Sequence, residues 1–156
     1  MTQPAVHAAF VIEKTYPHPL ARVFAAFADP ELKGRWFNPG HRQPDASDEH
    51  DFRVGGVERT SWLMDETTPF PGAPMTRVSL YLDIVPEARI VTGSNMAMNG
   101  RVFSSSLLTF EFSAEGEGAR LILTHQGAFF EHADGPALRE DGWRKVLEKL
   151  GESLDA

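Results

Sequence analysis

Apolar and polar positions follow two periods along this chain. Over Pro136 to Leu154 the apolar residues Trp143, Val146, Leu147, Leu150 and Leu154 recur at i, i+3, i+4, i+7 and i+11, the spacing of one helical face. Arg144, Lys145, Glu148, Lys149 and Glu152 fall on the other side. This predicts one long helix, opened by Asp134-Gly135-Pro136, where a proline in the first turn costs no hydrogen bond. A helix of this length needs a broad apolar partner, and upstream only a sheet is available to supply it.

The rest of the chain reads as short strands broken by turn residues. His7 to Tyr16 is rich in β-branched and aromatic residues and stops at Pro17, so it forms a first strand. Leu20, Val23, Phe24 and Phe27 then give a short helix after Pro19. Asp29-Pro30-Glu31 caps and starts a second one that reaches about Trp36 and breaks at Asn38-Pro39-Gly40. Beyond a polar loop over His41 to Glu49, strands are predicted at Phe52 to Val54, Val57 to Met64, Met75 to Val85, Arg89 to Met98, Arg101 to Ser113 and Arg120 to Phe130. Asp65 to Pro74 holds three prolines and is read as a loop. Asn99-Gly100 suits a two-residue hairpin. The short links imply antiparallel neighbours, because parallel pairing needs a longer crossover. In Met75 to Val85 the residues Val78, Leu80, Leu82 and Ile84 share one face, and the sequence pattern places Leu80 and Leu82 toward the helix.

These elements add up to an α+β fold: a curved seven-stranded antiparallel sheet wrapped around a long C-terminal helix, with two short helices between strands 1 and 2. Where such a sheet curves away from the helix, a cavity can form.

Composition narrows the chemistry. The 156 residues are 42% hydrophobic and 24% charged, which fits one globular domain over 1–156. The formal charge of -7 disfavours nucleic acid and anionic membranes. No long apolar run or signal-peptide pattern is present, so membrane insertion is not expected and a cytoplasmic location is. With no cysteine, thiolate catalysis and thiolate metal sites are excluded.

Candidate pocket residues follow from parity and type. Trp36, Phe52, Trp62, Tyr81, Trp143 and Leu147 would form aromatic and apolar walls, with Met64, Met96 and Met98 as adaptable ones, joined by Leu80 and Leu82. Ser104 and Ser106 share the face of Leu108 and Phe110, and His125 shares that of Leu121 and Leu123, so these three are polar points on the helix-facing side. Each of these types also fills or satisfies ordinary cores. No nucleophile motif appears, and no catalytic residue is assigned. His41, Asp45, Asp48, His50 and Asp51 have a metal-site composition without metal-site spacing, so neither a metal nor any other cofactor is expected.

The segments Ile12-Glu13-Lys14-Thr15-Tyr16, Asp29-Pro30-Glu31-Leu32 with Trp36, Phe52-Arg53-Val54-Gly55-Gly56, Tyr81 to Pro86 with Arg89-Ile90-Val91, and Leu108 to Phe112 resemble, in order and spacing, the START-like (SRPBCC) helix-grip superfamily. Within it the chain is similar to the bacterial Aha-type branch, related to activators of a heat-shock-chaperone ATPase and often labelled polyketide-cyclase-like. The resemblance implies a mostly apolar pocket between sheet and C-terminal helix that binds a small hydrophobic or aromatic molecule. A cyclase- or hydrolase-type enzyme using the same cavity, and a chaperone-regulating or protein-binding module, stay open as alternatives. So does a homodimer.

Overall fold

The computed structural model describes residues 3–37 and 49–156. In chain order they form β1 (Val6–Tyr16), α1 (Leu20–Ala28), α2 (Pro30–Gly34), β2 (Glu49–His50), β3 (Val57–Leu63), β4 (Pro74–Val85), β5 (Arg89–Met98), β6 (Arg101–Glu115), β7 (Gly118–Phe129) and α3 (Pro136–Asp155). All seven strands lie in one sheet, ordered β1-β7-β6-β5-β4-β3-β2 and antiparallel throughout. The curved sheet wraps α3, with the two short helices between β1 and β2. Among the described residues no helix is long and apolar enough to cross a membrane.

Local chemistry explains most of the boundaries. Asp29 caps α2, its carboxylate accepting from the backbone N–H of Glu31 at 2.9 Å and of Leu32 at 3.3 Å. Asn99 and Gly100 carry φ of 53° and 78° between Met98 and its partner Arg101, as a two-residue hairpin requires. Two register shifts, between Tyr81 and Asp83 in β4 and between Met96 and Ala97 in β5, add curvature. The cluster Asn38-Pro39-Gly40 lies outside the described residues.

Two expectations need correction. Phe52 to Val54 is not a strand; the second strand is Glu49–His50, and residues 51–56 make the tight turn into β3. Gly55 and Gly56 exchange backbone hydrogen bonds with Tyr81, at 2.8 and 3.0 Å. A Cβ at Gly56 would sit 2.1 Å from the Asp51 carbonyl oxygen, so this close approach requires glycine.

The second correction is the face of β4. Met75, Ser79 and Tyr81 are buried, whereas Leu80 is 43% and Leu82 46% exposed, on the outer side of the sheet. The period of two was right and its phase was reversed, because β4 turns its more polar set inward. After the bulge at Leu82, Ile84 returns to the core.

The main core joins α3 residues Trp143, Leu147, Leu150 and Leu154 to Ile12, Leu121 and Leu123 of the sheet and to Val23 and Phe27 of α1. The Tyr16 hydroxyl donates to the Leu147 carbonyl at 2.8 Å, tying β1 to the helix, and burial pushes this phenol above its ordinary range. Trp143 packs edge-on against Phe110 at 5.8 Å and stacks near Phe37 at 6.1 Å. Removing it leaves a cavity that rigid strands cannot close, so Trp143→Ala is expected to cost about 3 to 5 kcal/mol in denaturant unfolding. A loss below about 1 kcal/mol would place this indole outside the seam.

Candidate functional site

Strand register writes three parallel rows of side chains on the helix-facing side. One runs Glu58, Ser79, Ser94, Ser106, Gly127 across β3 to β7. On one side of it lie Thr60, Arg77, Met96, Ser104 and Phe129, and on the other Tyr81, Thr92, Leu108 and His125. The first row holds only small side chains after Glu58, so it cannot fill the space beneath α3. Three hollows result. An inner cavity of about 30 Å³ lies among Phe27, Trp36, Phe52, Tyr81 and Trp143, and one of about 10 Å³ lies against Ser106, His125 and Met96. A wider crevice of about 170 Å³ opens between β5 and the start of α3, where Met96, Leu138, Gly142, Trp143 and Val146 meet. Arg77 lines all three.

Charge in this interior is handled pair by pair. Glu58, 6% exposed, accepts from Lys33 Nζ at 2.5 Å and from the Tyr81 hydroxyl at 2.6 Å, with His50 Nε2 at 3.3 Å. Burial alone would raise the Glu58 carboxyl; Lys33, Tyr81 and His50 more than offset this and hold it below the usual range. Tyr81 is pushed the other way, by burial first and then by the Glu58 charge. Arg139, on the first turn of α3, grips Asp134 through two bonds of 2.8 Å and donates to Ser104 Oγ at 2.8 Å. Gly135, with φ of 89°, occupies the cap position without a side-chain bond, which leaves the Asp134 carboxylate for Arg139.

Arg77 is treated differently. Its guanidinium lies 5.0 Å from the ring centre of Phe37 and 5.3 Å from that of Trp143, and its hydrogen bond goes to the Met96 sulfur at 3.4 Å. Among the described residues it has no ion pair. Burial, reinforced by Arg139 and opposed by Glu58 and Asp134, brings its pKa down to about 10, so it remains a cation at neutral pH.

The predicted residues separate into groups. Trp36, Phe52 and Trp143 line the inner cavity, although Trp36 also donates to the Ala26 carbonyl at 2.9 Å as a packed core residue. Met96, Ser106, His125 and Trp143 line the second cavity. Trp62, Met64 and Met98 gather instead around Met75, Met96 and Phe103 in a separate cluster. Ser104 is bound to Arg139, Leu147 is solid core, and Leu80 and Leu82 face outward. His41, Asp45 and Asp48 lie outside the described residues, while His50 bonds the Tyr81 hydroxyl at 3.1 Å. Sequence reasoning passed over Lys33, Glu58, Arg77, Ser79, Ser94 and Arg139. The alternation of Arg77 and Ser79 with Tyr81 was visible, but the helix-facing side of this strand had been given to Leu80 and Leu82.

His125 is 1% exposed and stacks on Phe10 at 4.6 Å, and neither ring nitrogen has a hydrogen-bond partner among the described residues. Burial, then Arg139 and Arg77, push its pKa down to about 4, so the ring is neutral at pH 7. With the folded value depressed, the unfolded chain takes up the proton first. Stability from this residue is therefore whole above about pH 6.5 and is lost as pH falls toward 4, by about 3 kcal/mol. In unfolding titrations that pH slope should be present in the parent protein and missing from His125→Leu; an equal slope in both would assign it to other groups.

Comparison with known proteins agrees with this architecture. The Mll3558 protein of Rhizobium loti superposes with a TM-score of 0.85 at 38% identity, over 97% of this chain and 99% of that one. A protein from Rhizobium leguminosarum does so with a TM-score of 0.89 at 32% identity, over 99% and 98%. CalU16 from Micromonospora echinospora shares the fold, with a TM-score of 0.61 at 22% identity over 99% of this chain and 86% of that one. No curated protein matches. Residues 17–155 match the family model for Activator of Hsp90 ATPase homolog 1-like protein, and the chain belongs to that family.

Proposed function

We propose that residues 1–156 act as a single START-like domain that binds a small molecule between α3 and the sheet, its apolar body in the crevice beside Trp143 and its polar atoms toward the row of serines. The observation that carries this reading is the set of buried polar atoms without partners among the described residues, Ser106 Oγ and both nitrogens of His125, in a small cavity that shares Arg77, Met96, Arg139 and Trp143 with the crevice. Buried donors and acceptors are costly when unmatched, and a guest or water reaching them from the crevice supplies the missing bonds. The mixed lining departs from a mostly apolar pocket. It favours a compact guest with polar atoms at one end over a purely hydrocarbon one. Binding is the reading supported over catalysis, because Glu58 and Tyr81, the interior acid and phenol, are already bonded to each other.

Benzamide, a flat neutral probe, tests the site directly through the indole signal of Trp143 and the methyl signal of Met96 in NMR titrations. Saturable shifts at both are expected. A Cβ at Gly142 would meet nothing within 4 Å, so Gly142→Leu projects its side chain into the crevice while improving helix propensity by roughly 0.5 to 1 kcal/mol. This variant should fold and lose benzamide binding, whereas Leu82→Arg on the outer face should leave it unchanged. Absence of any shift, or shifts that survive Gly142→Leu, would remove the crevice as the site.

A further inference from the structure

We infer that the guest is an oxyanion, a small carboxylate-bearing molecule with a flat or apolar body, and that Arg77 is its anchor; this rests on the crevice being the binding site. The argument begins with the charges around the crevice. Lys33 is matched by Glu58, and Arg139 by Asp134, in direct ion pairs. His125 is held neutral by its surroundings. Arg77 is left as a positive charge without an ion-pair partner among the described residues, and it lines the open crevice and both inner cavities.

The geometry of Arg77 adds the second step. The rings of Phe37 and Trp143 both lie within cation–π distance of the guanidinium, contacts that use none of its N–H groups. The thioether of Met96 is a weak acceptor and occupies one of them. A planar fork with free donors is complementary to a carboxylate, which accepts two parallel bonds from it. Arg139 stands nearby as the internal comparison. There the same group is completed by Asp134 and Ser104, and it serves the structure. A carboxylate on Arg77 would leave the remainder of the guest between Met96, Leu138, Val146 and Trp143, and Leu138, 65% exposed, would form the apolar rim.

Benzoate and benzamide have nearly the same shape and differ in charge, so the pair isolates the anchor. In NMR titrations of the intact chain, read at Trp143, benzoate is expected to bind at least about tenfold more tightly than benzamide. Arg77→Gln should reduce that preference to about twofold or less, the loss in affinity falling mainly on benzoate. Arg77→Lys keeps the charge without the fork and should hold an intermediate preference, and it carries the test if Arg77→Gln does not fold. Equal binding of both probes to the parent protein would overturn the anion assignment while leaving the crevice as a site. A benzoate preference that persists in Arg77→Gln would overturn it as well. If neither probe moves Trp143, the crevice reading fails and the assignment falls with it.

Discussion

The seating of α3 on the concave sheet is the constraint on which the rest of the molecule depends. One end is closed by apolar contact, with Leu147, Leu150 and Leu154 buried against β1, β7 and α1 and the Tyr16 hydroxyl bound to the Leu147 carbonyl. The other end is held by polar contact, where Arg139 reaches Asp134 in the preceding loop and Ser104 in β6. Between these fixed ends lies a sheet surface of serines and a glycine, too small to meet the helix. The hollows are therefore a product of strand register, since one residue of slip in β4 or β5 would send the serine row to the outer face.

Placing ionised groups under a helix is expensive unless each is matched. Glu58 is matched three ways and Arg139 two ways, and both are rigid parts of the fold. Arg77 has aromatic faces and a sulfur in place of a carboxylate. Cation–π attraction offsets part of the cost of drawing a guanidinium from water and uses none of its N–H donors. Arg77, half-buried, has no carboxylate partner among the described residues, and that distinguishes it from its neighbour Arg139.

Membership in the Activator of Hsp90 ATPase homolog 1-like family describes a scaffold on which different sites can be built. The relation to CalU16 at 22% identity is likewise one of fold. The inner face of this chain carries Arg77, the serine row and His125 beside its aromatic walls.

The sequence by itself determined the elements and their order. Periodicity located α3, the cap at Asp29, the Asn99-Gly100 hairpin and six of the seven strands, because these depend on residues close together in the chain. It also placed His125 inward, as its burial at 1% exposure bears out, since Leu121 and Leu123 make the parity of β7 unambiguous. Only tertiary structure decided which face of β4 is inside. Local pattern gave Leu80 and Leu82 the better claim, but the turn at Gly55-Gly56 locks Tyr81 against β3, and the inner register brings Ser79 onto Ser94 and Arg77 onto Met96. A polar residue is read as solvent-facing when its partners are unknown. The partners of Glu58 and Arg139, and the aromatic rings around Arg77, come from elements distant in sequence, and no local pattern contains them.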